Sequence, residues 1–180
     1  MGTLYLLQCG ETKGERDKVL QGSTISYLTD NGYDQAHYFK DALSGIDIKT
    51  IFFASTTSCR DTANIIAEGR KIKLIPENSI MSIYFGRYEN KKNVTTNELA
   101  HIFSYEENDN FGESFSDFVN RIRNTLLKYQ GEDKIVIVAN SYAFIVLKAL
   151  LRKDEVPISS DFVMKLIDTT GRDAVLSFNI

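Results

Sequence analysis

Short apolar runs alternating with helix-patterned stretches predict an α/β protein, a three-layer α/β/α arrangement with a mostly parallel central sheet. Four of the runs, Leu4–Leu7, Ile51–Ala54, Ile72–Ile75 and Ile135–Ala139, are near-continuous rather than alternating. That is the pattern of strands buried on both faces. A fifth run, Ala174–Phe178, is read as an edge strand.

The elements follow in order. Leu4–Leu7 leads into the polar, glycine-bearing stretch "QCGETKGE", a loop at a strand end. Thr29 suits a helix N-cap, and after it Tyr33, Ala36, Phe39, Ala42 and Leu43 recur at helical spacing until Gly45 supplies a stop. Residues 58–67 form a short helix ending near Gly69. Thr95 and Glu98 suggest the cap of a small inserted helix, followed by the acidic stretch "SYEENDNFG", read as a solvated loop. Ser114 and Asp117 resemble a capping box opening a helix whose apolar face is Phe115, Phe118, Val119, Ile122 and Leu126, and Gly131 ends it. A last helix runs from about Tyr142 to Leu151.

At 180 residues the chain is read as one domain, 1–180, with a small insertion or lid at about 90–112. A net charge of −3 gives no electrostatic footprint for nucleic acid or an anionic membrane. No apolar run approaches the roughly 20 residues that span a bilayer, and the N-terminus has no signal-peptide pattern. The expected compartment is the cytoplasm, where Cys9 and Cys59 are expected as free thiols. His37 and His101 have neither metal-ligand spacing nor a partner motif, so no metal or cofactor is expected. In open α/β sheets ligands sit beyond the carboxyl ends of the strands. Cys9 and Asn140 each follow a predicted strand at once and are pocket candidates on that ground.

Six segments, "LYLLQCGET", "LQGSTISYLTDNGYDQA", "FASTTSCRDTANII", "IYFGRYEN", "FGESFSDFVNRI" and "KIVIVANSYAFIVLKALL", arrive in one order along nearly the whole chain. In that order they resemble the histidine phosphatase superfamily, the phosphoglycerate-mutase-like fold. The resemblance implies a first strand ending in Arg-His-Gly-Glu-Thr, with the histidine as the nucleophile that takes the phosphoryl group. Here Gln8 and Cys9 stand in those two places, followed by matching Gly10, Glu11 and Thr12. The family's second phosphate-binding arginine falls on Ser58, its acid on Ser82 and its second histidine on Asn140. Glu15 replaces an asparagine that often supports the phosphate, and Arg60 matches a secondary position only.

Each change removes chemistry. Imidazole is a good nucleophile near pH 7 and leaves again. A thiol needs nearby positive charge to become one, and the cysteine-to-arginine spacing of thiol phosphatases is absent because Arg16 follows Cys9 one residue too late. Arginine clamps phosphate with two prongs, which serine and glutamine cannot imitate. Losing one preorganised donor typically costs on the order of 10²–10³ in rate. The expectation is a pseudoenzyme that binds a protein partner or a small polar ligand. Gln8, Ser58, Ser82, Asn140 and Ser141 would line a neutral polar pocket suited to a sugar or nucleoside, with Cys9, Gly10, Glu15 and Arg60 beside it. Two alternatives stand: an enzyme using Cys9 as a substitute nucleophile, and a phosphate-ester sensor using the Gly10 amide and Arg60. A homodimer fits the resemblance. Arg121 is expected to contact a helix or loop rather than substrate, and Tyr84, Phe85 and Tyr88 form either an exposed patch or packing under the insertion.

Overall fold

The computed structural model describes residues 2–104, 112–153 and 174–180. Strands β1 (Thr3–Gln8), β2 (Thr50–Ala54), β3 (Lys73–Glu77), β4 (Ile135–Ala139) and β5 (Leu176–Asn179) form one sheet in the order β3-β2-β4-β1-β5. The first four are parallel, and β5 closes the edge antiparallel to β1 with Leu4 opposite Phe178. Every residue of β4 is buried, as a strand covered on both faces requires.

Among the described residues six α-helices accompany the sheet: α1 (Lys13–Arg16), α2 (Asp30–Ala42), α3 (Thr57–Ala67), α4 (Thr96–Ser104), α5 (Phe115–Lys128) and α6 (Ser141–Leu151). The pairs α2–α3 and α5–α6 pack side by side and flank the strands. Phe39, Cys59, Ala63 and Ile66 come from the first pair, and Phe118, Ile122, Phe144 and Leu147 from the second; all are buried in the core. The caps are those the sequence predicts. Thr29 accepts from the Gly32 amide, Ser114 accepts from the Asp117 amide at 3.1 Å, and Thr95 and Glu98 bond each other reciprocally at the start of α4. Gly69 and Gly131 adopt positive φ just beyond α3 and α5, the conformation that glycine alone adopts without steric cost.

Three elements differ from expectation. β3 lies at Lys73–Glu77 rather than 72–75, because Pro76 is accommodated on an edge strand. α1 is a single turn that apolar periodicity does not reveal; the Thr12–Glu15 capping box sets it. The expected edge strand begins at Leu176. Most of the predicted acidic loop lies outside the described residues. The aromatic trio divides: Phe85 is buried with its ring edge-on to Phe103 of α4 at 5.7 Å, Tyr88 is half-buried, and Tyr84 is exposed.

One close approach positions the site. A Cβ on Gly10 would collide with the backbone of Gly32, and one on Gly32 with the backbone of Glu11. The loop after β1 is thereby pressed against the start of α2, where the Glu11 amide donates to Gln35 at 2.8 Å.

Candidate ligand cleft

Beyond the carboxyl ends of β1 and β4 lies a cleft of about 570 Å³, within the roughly 300–1,000 Å³ of small-molecule sites. Its floor combines the last residue of β1, the loop after it, the start of α3 and the start of α6. Gln8 donates through Nε2 to Ser141 Oγ at 2.9 Å, and Ser141 donates in turn to Glu15 Oε1. The other oxygen of Glu15 accepts the Thr12 amide and hydroxyl, both at 2.9 Å. Glu15 is therefore a helix cap and a floor residue at once, its carboxylate fixed by neutral donors.

Cys9 lies deeper. Its amide completes the β1–β4 ladder through Ala139 O at 2.9 Å, and its thiol, on a residue only 2% exposed, points to Ser58 Oγ at 3.7 Å. Ser58 neighbours Thr56 Oγ1 at 3.5 Å, which accepts from Asn140 Nδ2 at 3.3 Å. Asn140 occupies the N-cap of α6 without capping it, and its Oδ1 is buried with no hydrogen-bond partner among the described residues. Behind Cys9 sits Cys59, whose thiol is pushed well up by burial and then by its hydrogen bond to Cys9. It supplies no thiolate at neutral pH.

Above this floor part of the wall is apolar: Val19, Leu20, Val94, Leu99, Tyr142 and Ile145. The Tyr142 ring stands edge-on to Phe85 at 5.4 Å and Phe103 at 5.7 Å. Burial, with the charge of Glu15 adding to it, drives the Tyr142 hydroxyl well above the usual phenol range, so the wall carries no second anion. Among the described lining residues Glu15 is the only anion and Lys18 the only cation.

The sequence-predicted residues thus divide. Gln8, Cys9, Glu15, Ser58, Asn140 and Ser141 line the cleft. The Gly10 amide is occupied, donating to Thr62 Oγ1 at 3.2 Å. Arg60 does not line the cleft: α3 turns Ser58, Cys59, Thr62 and Ala63 inward, which leaves Arg60 more than half exposed and paired with Asp61 at 3.1 Å. Ser82 lines a separate hollow beside Arg121, whose guanidinium bonds the Ser79, Met81 and Ser82 carbonyls and both oxygens of Glu113. Every nitrogen of Arg121 is held by protein. Among the described residues no group of three or more His, Cys, Asp or Glu side chains could hold a metal ion, and no helix is long and apolar enough to cross a membrane.

Sequence reasoning did not single out the loop that walls the cleft. Gln21, Gly22, Thr24 and Ser26 line it, and Glu89 holds that loop in place. Oε2 of Glu89 accepts the Gly22 amide at 3.1 Å and the Thr24 hydroxyl at 3.2 Å, while Oε1 accepts the Ser23 and Phe85 amides at 3.1 Å each. The available signal was Gly22, where a Cβ would strike the Ile83 carbonyl and the Glu89 carboxylate.

Fold and cleft together define an α/β protein with a cleft at its strand ends, of the phosphoglycerate-mutase-like kind. The profile of the histidine phosphatase superfamily (branch 1) matches residues 4–164, and the chain belongs to that family. It is 27% identical over 140 residues to the Schizosaccharomyces pombe protein named "Probable phosphatase C1687.21", covering 75% of this chain and 66% of that one. The chain thus spans about two thirds of that relative's length. It is 25% identical over 160 residues to the Escherichia coli adenosylcobalamin/alpha-ribazole phosphatase, covering 82% and 78%. The phosphoglycerate mutase structure from Bacillus anthracis superposes with a TM-score of 0.75 over 93% of this chain and 97% of that one, at 16% identity, a likeness of fold.

Proposed function

We propose that this chain is a catalytically inactive member of its family that binds a small polar ligand in the cleft. One observation carries the reading: the floor holds Gln8, Cys9, Ser58 and Asn140, and no arginine or histidine lines the cleft among the described residues. Phosphoryl transfer depends on positioning and on charged donors that stabilise the spreading negative charge. The charge nearest the floor is the carboxylate of Glu15, which accepts hydrogen bonds and repels an incoming phosphate. The relatives named as phosphatases make the opposite reading the natural rival.

That rival would use Cys9 as the nucleophile. Against it stand the burial of Cys9, its orientation toward Ser58 and the exposed position of Arg60. The test is hydrolysis of p-nitrophenyl phosphate by the purified chain beside a Cys9→Ser variant prepared identically. No turnover above buffer in either supports the proposal. Turnover in the parent that vanishes in the variant overturns it and makes Cys9 a nucleophile.

A further inference from the structure

We infer that the cleft takes an unphosphorylated nucleoside-type ligand, its hydroxylated ring on the polar floor and its apolar or aromatic body against the wall. The inference rests on the non-catalytic binding reading above and narrows it to a chemical class. Three features carry it.

The first is the direction of the floor's hydrogen bonds. Gln8 donates to Ser141, Ser141 to Glu15, Asn140 to Thr56, Cys9 to Ser58 and the Gly10 amide to Thr62. Each of these groups places one proton on a protein acceptor. Among the described floor residues the buried polar atom left over is an acceptor, Asn140 Oδ1, and a buried acceptor without a partner carries a desolvation cost. A ligand hydroxyl removes that cost. A phosphate group, which brings only acceptors at neutral pH, does not.

The second is charge. The carboxylate of Glu15 lies in the floor and is held there by Thr12 and Ser141, while Lys18 lines the cleft as a flexible point charge rather than a planar fork. The described lining is neutral in sum and offers an anion no bidentate partner. The third is the wall. Leu20, Leu99 and Ile145 with the braced ring of Tyr142 contribute apolar surface to the lining. A bare sugar would leave that surface wet, whereas a base lying on it would bury apolar area, which favours binding.

The experiment titrates the whole chain, by calorimetry and thermal shift, with adenosine, uridine, their 5′-monophosphates and ribose, assaying released phosphate in the nucleotide samples. The expected result is binding of at least one nucleoside, with its 5′-monophosphate at least tenfold weaker and ribose weaker still. Asn140→Ala is expected to weaken the nucleoside about tenfold. Because Glu15 also caps a helix, Glu15→Gln is read by selectivity rather than affinity: the gap between nucleoside and monophosphate should shrink. A monophosphate that binds as well as its nucleoside without being hydrolysed overturns this ligand class and leaves the non-catalytic reading standing. Phosphate release overturns the non-catalytic reading itself. No response to any of the five compounds also overturns the ligand class.

Discussion

Replacing Glu89 with alanine isolates the device that shapes the cleft. The Glu89 carboxylate accepts four hydrogen bonds at 3.1–3.2 Å and joins the loop at residues 22–24 to the segment at 85–89. The Ser23 amide is exposed and recovers water when the carboxylate goes. The Gly22 amide, the Thr24 hydroxyl and the Phe85 amide are partly buried and recover it less well. At about 1 kcal/mol for each of these three, the loss comes to about 3 kcal/mol. For a domain of this size about 1 kcal/mol moves Tm by roughly 2–4 °C, so Glu89→Ala should lower Tm by roughly 6–12 °C. Glu89→Gln keeps one acceptor oxygen and turns an amide N–H₂ toward two donors, and should fall between parent and alanine. Thermal unfolding followed by circular dichroism gives the shift, and hydrogen exchange locates it: the Gly22, Ser23 and Phe85 amides should lose protection before those of β4. A Tm change under about 2 °C for Glu89→Ala, or unchanged exchange at residues 22–24, would refute the assignment of Glu89 as the loop's anchor.

Other substitutions test the remaining supports. Arg121→Lys keeps the charge but cannot reach three carbonyls and a carboxylate at once; a loss of about 2–4 kcal/mol is expected in denaturant unfolding. Gly32→Ala forces the start of α2 away from Glu11 and should lower stability by about 2 kcal/mol or more, read from the urea midpoint. Glu98, bonded to Lys91 and to the Thr95 backbone and hydroxyl, has its carboxyl lowered from 4.5 to about 2. Its folded value lies below its unfolded one, so its support for α4 is complete above about pH 4.5 and fades as pH falls toward 2. Amide exchange of α4 measured across that range should show the loosening, and Glu98→Gln should abolish its pH dependence. Finally, Cys59 should resist iodoacetamide in the folded chain at pH 8 and react only when unfolded, as mass spectrometry of the labelled peptides would show.

Much of the fold is legible because its signals are local. The unbroken apolar run of β4, the caps at Thr29 and Ser114 and the glycines after α3 and α5 each act within a few residues. β3 shifted because a proline reads as an end of strand, yet an edge position tolerates it. The cleft floor was legible through one topological rule, that residues just past β1 and β4 face the ligand side. Arg60 was harder to place, since one helical step from Cys59 separates a buried position from an exposed one and the phase of α3 depends on its Thr56 cap. Ser82 was matched by position along the chain, but the turn after β3 delivers it to Arg121 instead. The apolar wall and the Glu89 anchor escaped notice because their contacts are remote: Glu89 meets residues 22–24 across more than 60 positions of sequence, and no periodicity records such a pairing.

On the proposed reading the cleft carries no machinery for phosphoryl transfer. Orthovanadate probes this most directly, because it mimics the transition state and binds catalytic phosphoryl-transfer sites far more tightly than substrate does. The measurement is calorimetric titration of the purified parent chain with orthovanadate, accompanied by thermal unfolding at each concentration. Neither heat of binding nor a Tm shift is expected up to about 1 mM, the level at which weak substrates already bind. Saturable binding at micromolar orthovanadate would contradict it, and would mean that the floor built from Gln8, Cys9, Ser58 and Asn140 still receives a phosphoryl group.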